Sequence, residues 1–251
     1  MGIFTNSLVQ NINIAPEVSY KNNNMANAFI NCWNFNSPVP IPNGVTNLYH
    51  TFWDCRMLNQ TMDIQGSGVN MYQTFFNCQS LNSPVNLPNS VTFMAGCFSN
   101  CVSFNQPVNF PDSIGLTMAS MFVNCKNFNQ PVTIPNSVTV MQLAFGNCSN
   151  FNQSVNIPNG VTNLYRTFYG CTNLGNANIY IRENNVVNIA GFLQGKNYSK
   201  RVNIYCARNS NTWNKIMNAY ANGSILGINM SWYSTGANRF NQSYGVWLLN
   251  Y

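Results

Sequence analysis

An α/β repeat is the fold class this sequence predicts: a right-handed solenoid of units about 23 residues long, each a short strand plus a short helical segment, finished by a C-terminal helix and hairpin. Three columns of residues predict it. Cys32, Cys55, Cys78, Cys101, Cys125, Cys148 and Cys171 recur at steps of 23, 23, 23, 24, 23 and 23 residues. Three residues before each cysteine stands Phe29, Phe52, Phe75, Phe98, Phe122, Phe145 and Phe168. Three residues after each comes Phe35, Leu58, Leu81, Phe104, Phe128, Phe151 and Leu174, and Asn36, Asn59, Asn82, Asn105, Asn129 and Asn152 follow the first six of these. Chance does not hold so many columns in phase.

The elements follow in chain order. Residues 1–30, with Ile12, Ile14, Pro16 and Val18 ahead of Met25 and Phe29, read as an N-terminal capping coil. Residues 31–195 form the repeats. In each, an alternating trio such as Val132-Thr133-Ile134 marks a strand with one buried face, with counterparts at Val39/Ile41, Met62/Ile64, Val85/Leu87, Val108/Phe110 and Val155/Ile157. Pro42, Pro88, Pro111, Pro135 and Pro158 stop the strand, because proline has no N–H for the ladder, and Asn-Ser or Asn-Gly then turns the chain. Val138, Met141 and Phe145 at i, i+3 and i+7 predict the helical segment. At about 4.8 Å per coil, seven or eight coils make a rod roughly 35–40 Å long. The Asn column is expected inside, where an amide can satisfy backbone groups of adjacent coils. Residues 196–251 read as a C-terminal cap or attachment module. Lys196 takes the next cysteine position, Trp213, Ile216, Met217 and Tyr220 give an amphipathic helix, and 224–232 with 243–251 give two strands.

The unit Cys125-x-x-Phe-Asn-Gln-Pro-Val-x-Ile-Pro-Asn-Ser-Val-x-x-Met-x-x-x-Phe-x-x-Cys148 resembles the BspA-type leucine-rich repeat. It is also similar to the repeat of mycoplasma-type surface lipoproteins, and the resemblance covers roughly residues 29–195. It implies a leucine-rich-repeat-like solenoid on a cell or particle surface, with adhesion as its usual task.

Composition narrows the function further. Charged residues are only 6% of the chain and aromatics 14%, so the surface is solvated by amides and hydroxyls and the chain is not a disordered one. Asparagine alone is roughly a fifth of the residues. A surface of this kind has little colloidal repulsion and suits an assembly. Of the net charge of +6, most sits late: Arg166, Arg182, Lys196, Lys200, Arg201, Arg208, Lys215 and Arg239 face only Glu183. These charges are spread out and match no nucleic-acid motif, so a solvated face is expected rather than a nucleic-acid partner. No stretch is apolar for the 18 or so residues a membrane helix needs. Met1-Gly2-Ile3-Phe4-Thr5-Asn6 lacks the basic start and apolar run of an export signal.

Chemistry finds little material. Seven of the nine cysteines belong to the ladder and none forms a Cys-x-x-Cys pair, so buried free thiols are expected rather than a metal site or a disulfide framework. His50 is the single histidine, expected to point outward, and Glu17, Asp54, Asp63, Asp112 and Glu183 fall in five different units. No catalytic residue, metal ligand or cofactor is therefore expected, because acid–base and nucleophilic mechanisms need converging groups. The remaining candidates are surface residues. Asn86, Asn109, Thr133 and Asn156 along the strands, with Gln60, Gln106, Gln130 and Gln153 nearby, could bond sugars on which Trp33, Trp53 or Tyr72 stack; the plainer expectation is an inert polar face. The function expected is a non-enzymatic structural and adhesive surface protein. Its expected seat is a bacteriophage virion (head fibre, tail or baseplate decoration), the alternative being a secreted or cell-wall adhesin. Expected partners are other virion or surface proteins, met through the C-terminal module, and a host surface protein or glycan, within a homo- or hetero-oligomeric assembly.

Overall fold

The computed structural model describes residues 23–182, 186–197, 199–208 and 210–222, and the backbone of 228–233 and 246–247. The capping coil expected over residues 1–30 thus lies mostly outside the described residues. From Met25 to Ile228 one continuous apolar core runs through the stack, filled by the Phe, Cys, Val/Ile and Met columns. The first phenylalanine column stacks from Phe29 to Phe168 at centroid steps of 5.3 to 5.7 Å, rings nearly parallel. Phe192 ends the column by turning edge-on to Phe168.

Strands are short where prolines are dense. Pro-Val-x-Ile-Pro leaves three residues between two positions that cannot donate, and the early coils hold only β1 (Met62–Asp63), β2 (Val85–Asn86) and β3 (Val155–Ile157). The trios at 108–110 and 132–134 keep the buried–exposed alternation at Val108/Asn109 and Val132/Thr133/Ile134 without becoming strands. The last proline of the chain is Pro158. Beyond it the strands lengthen: β4 (Asn178–Ile181), β5 (Val202–Ala207) and β6 (Ile228–Tyr233) join β3 in a parallel sheet. β7 (Val246–Trp247) adds antiparallel to β6, the hairpin expected from the sequence. Between β5 and β6 runs the helix α1 (Asn211–Ala221), whose Ser210 side chain accepts from the Trp213 N–H and caps it. Ile216 is its buried anchor, with Trp213, Met217 and Tyr220 half-buried beside it.

The helical segment expected in every unit is not there. Its place is taken by a ribbon of tight turns. In the segment ending at Cys55, the N–H groups of Thr51, Trp53 and Cys55 bond three residues back to Leu48, His50 and Phe52 at 3.1–3.2 Å. The alternate N–H groups of Leu48, His50, Phe52 and Asp54 instead reach the next coil, at Asn70, Tyr72, Thr74 and Phe76, at 2.8–3.2 Å. An α-helix would consume all its N–H groups internally and leave the neighbouring coil none. The cost of the ribbon is a positive φ at every fourth residue, as turns of type II require at their third position. These residues form two columns. One is Asn31, Asp54, Asn77, Asn100, Asn124, Asn147, Gly170 and Gly195; the other is Asn27, His50, Gln73, Gly96, Ser120, Leu143, Arg166 and Gly191. The first column explains the asparagine before each ladder cysteine, since asparagine and glycine accept this backbone most easily.

Leucine has no such excuse. At φ 55°, Leu143 holds a strained conformation in a column where two other coils use glycine. Leu143→Gly is expected to raise stability by up to about 1 kcal/mol, read as a higher midpoint in urea; an unchanged or lower midpoint would show that its packing outweighs the strain.

The single 24-residue step is a bulge. The N–H groups of Thr139 and Val140 both bond to the Leu116 carbonyl, and the Leu116 side chain is left 65% exposed. Its neighbour Gly115 approaches the previous coil so closely that a Cβ would stand 2.7 Å from the Thr92 oxygen, which only glycine permits.

Candidate binding surface

Most repeated polar side chains serve the stack itself. Asn36, Asn59, Asn82, Asn105 and Asn129 each accept, through Oδ1, the backbone N–H of the asparagine one coil on, at 2.7–2.9 Å, and Asn152 accepts that of Gly175. Their partners are as expected but their place is not: the column is exposed or half-exposed, because the corner it bridges lies at the surface. Gln60, Gln130 and Gln153 donate back to the carbonyls of Asn36, Asn105 and Asn129 at 2.9–3.1 Å, and Gln106 to the side chain of Asn82. These glutamines are therefore clamps between coils. Thr51, Thr74 and Thr167 are buried and donate to carbonyls of the preceding coil.

The cysteines do the same from inside. All nine are free and buried. Cys55, Cys78, Cys101, Cys125, Cys148 and Cys171 donate their thiol hydrogens to Phe29, Phe52, Phe75, Phe98, Phe122 and Phe145 carbonyls at 2.8–3.1 Å. Burial raises their pKa well above the ordinary thiol range, so they are protonated donors. Lys196, at the eighth ladder position, is buried and donates to the Asn197 and Lys200 carbonyls; desolvation, aided by Arg201, lowers its pKa to about 8.

Among the described residues no three His, Cys, Asp or Glu side chains converge. His50, the single histidine, lies on the turn face. It is half-buried rather than pointing freely outward, stacked 3.8 Å from Tyr49 and 4.4 Å from Trp53, with a ring nitrogen 3.0 Å from Gln73 Oε1. Burial lowers its pKa and the Gln73 contact partly offsets that, so it is neutral at pH 7. Asp54 is held by Arg56, by the Trp33 indole N–H at 2.7 Å and by Asn77. Arg56 lies over the Trp33 ring, which is 46% exposed. Asp63 and Asp112 lie elsewhere, on a strand and at a strand-end turn; Glu17 and Glu183 lie outside the described residues.

What does not repeat gathers on the turn ribbon. At the positions six, five and two before the ladder residue stand Tyr49-His50-Trp53, then Tyr72-Gln73-Phe76. Small or aliphatic side chains follow in the next coils: Ala95-Gly96-Ser99, Ala119-Ser120-Val123 and Gln142-Leu143-Gly146. Aromatic residues return at Tyr165-Arg166-Tyr169. Tyr49 stacks on Tyr72 at 5.5 Å and Trp53 on Phe76 at 4.0 Å, and Phe93 continues from Tyr72 at 5.7 Å. Of the residues expected to read sugars, Trp53 and Tyr72 thus belong to one cluster, with Trp33 at its corner. The strand residues Asn86, Asn109, Thr133 and Asn156 are exposed in other coils and join no cluster with them. Tyr165 and Tyr169 are not among the residues expected to read sugars, and Arg166 is expected only as part of the late basic tract; the signal that groups them is the same three columns read one by one instead of averaged.

The model of a family described as a mycoplasma protein of unknown function, DUF285, matches this chain in overlapping copies over residues 6–88, 23–133, 69–178 and 109–205. The chain belongs to this family. Its members' repeat accounts for the stack up to coil eight, where the Lys196 substitution falls. A leucine-rich repeat protein from Bacteroides ovatus, solved by crystallography at 1.19 Å, is similar in structure, with a TM-score of 0.51 and 22% identity over 71% of this chain. That likeness shows the leucine-rich-repeat fold, and this chain spans about half (51%) of that protein's length. No curated protein matches the sequence.

Proposed function

We propose that this chain is a non-enzymatic structural and adhesive surface protein that displays its turn ribbon to a partner. One observation carries the reading. The repeated polar side chains are engaged between coils, while the residues that differ from coil to coil stand together on one face, most of them half-buried. A rigid scaffold with a variable face is how solenoids present binding surfaces. The similarity to a mycoplasma family and to a Bacteroides protein supports a bacterial cell surface as its seat. The virion seat expected from the sequence rests on the low charge and the N-terminal residues, and neither comparison supports it. The segment from Lys196 onward, where the repeat ends and α1 begins, is the attachment module in this reading.

Fractionation of the source culture tests it. Antibody against the chain is expected to label intact cells at their surface. Label confined to sedimenting particles would move the seat to a virion. Recovery of all the protein from the cell interior would overturn the reading.

A further inference from the structure

The turn ribbon carries two aromatic walls at different heights of the stack, with coils of other side chains between them. One wall ends at Phe76, whose stack with Trp53 is not continued, because Ser99 follows it in the next coil. The other is Tyr165 and Tyr169, preceded in the same columns by Gln142 and Gly146. Between them lie Ala95, Gly96 and Ser99, all buried, then Ala119, Ser120 and Val123, then Gln142, Leu143 and Gly146, of which Gln142 and Leu143 are half-buried. Four coils at about 4.8 Å separate the walls by roughly 19 Å.

Arg166 stands at the far wall. Its guanidinium lies 5.1 Å from the ring centroids of both Tyr165 and Tyr169. Among the described residues nothing accepts a hydrogen bond from it. Stacking occupies the flat faces of a guanidinium and leaves the N–H edge pointing where a planar anion can take two bonds at once. Gly191 in the next coil leaves room beside it, since a Cβ there would stand 2.8 Å from Arg166 Cγ. Its φ of 51° is the one the ribbon imposes on every member of this column. The face carries no competing acid: Asp54, at its other end, is already held by Arg56.

We propose that this stretch of the turn face binds a carboxylated polysaccharide, a chain of uronate-type sugars, with Arg166 taking one carboxylate and the rings of Phe76, Tyr165 and Tyr169 packing against sugar faces. Carboxylate is the fit because the guanidinium fork is planar and bidentate, and sugars are the fit because aromatic rings beside amides offer both an apolar face and polar edges. The inference rests on the adhesive reading and names its ligand.

The test is calorimetric titration of the purified chain with a galacturonate oligomer, an uncharged cello-oligosaccharide and a dextran sulfate oligosaccharide, which carries sulfates and no carboxylate. The galacturonate oligomer is expected to bind about tenfold or more tightly than the uncharged one, and to weaken as salt rises. Arg166→Ala is expected to weaken it by about tenfold or more, and Arg166→Lys by less than Ala. Arg166→Gly separates binding from folding, since it relieves the backbone strain: thermal stability holds or rises while affinity falls. Equal binding by Arg166→Gly, no binding of galacturonate to the folded wild-type chain, or binding of dextran sulfate alone would each overturn the inference. A chain that labels the cell surface but takes no uronate would fail this inference while leaving the adhesive reading intact.

Discussion

Raising the pH through about 9 to 10 is expected to unfold this protein in one steep transition, in reducing buffer and without any change in salt. Eight of its buried thiols have pKa values raised by desolvation, Cys206 to about 12 and the others well above the ordinary thiol range. Six of these thiols also donate to carbonyls, which a thiolate cannot do. In the unfolded chain a thiol ionises near 8.5. The native state therefore keeps protons that the unfolded state releases. The stability this provides is complete below about 8.5 and falls as pH rises above it, by about 1.4 kcal/mol per pH unit for each thiol. Eight together approach a slope on the order of 10 kcal/mol per pH unit, against a total stability of about 5–15 kcal/mol. Lys196 opposes this weakly. Its native pKa of about 8 lies below its ordinary value, so its own contribution rises with pH between about 8 and 10.4, but it is one group against eight. Circular dichroism against pH checks the transition, and Cys101→Ala and Cys125→Ala should each reduce the proton count of unfolding by about one. A chain still folded at pH 11, or thiols that ionise near pH 8.5 while the fold persists, would contradict the account.

The columns that make this prediction possible were legible because each repeats a single physical demand. Cys125 and its equivalents must fit a small buried slot and donate one hydrogen, and Phe122 and its equivalents must stack. Seven copies of one demand make a period that no local ambiguity can hide. The helical segment was misread for a related reason. Val138, Met141 and Phe145 are spaced as on a helix, yet the same spacing serves a ribbon of turns, since both bury every third or fourth side chain. The deciding signal was Asn124 and Asn147, one before each cysteine, where a helix gains nothing from asparagine and a positive φ does. Strands formed where expected at Met62, Val85, Val155, Ile179 and Val202 but not at Val39, Val108 or Val132, and their lengths followed the prolines: short or missing ones up to Pro158, long strands after it. The binding surface was the least legible. Tyr165, Arg166 and Tyr169 occupy three columns whose other members range from glycine to tryptophan, so no period marks them. A face selected for difference is invisible to a search for sameness.

Phe122→Ala is expected to destabilise the chain by about 3–5 kcal/mol, more than the same change at either end of the ladder. Phe122 is fully buried and meets five other rings: Phe128 at 4.1 Å, Phe98 and Phe145 at 5.7 Å, Phe110 edge-on at 6.2 Å and Phe104 at 6.4 Å. Among the described residues the ring pairs of Phe29, near the first described coil, are those with Phe35 and Phe52. Each lost ring pair removes roughly 0.5–1.5 kcal/mol beyond the area term, so position along the stack alone separates the two substitutions. The site also cannot close over the cavity easily. The coils on either side are held at a fixed spacing by the Cys125 and Cys148 thiols and by the alternate N–H groups of the ribbon, which bond across at 2.8–3.1 Å. In a stack where each coil touches only its neighbours, such a defect weakens the coupling between the halves on either side of it. Urea unfolding of Phe122→Ala is therefore expected to show a lower midpoint and a broader transition, with the two halves losing structure at different concentrations, whereas Phe29→Ala keeps one transition and loses less. Equal losses at the two positions would mean that the ladder is not energetically continuous, and that the coils are held by their backbone bonds alone.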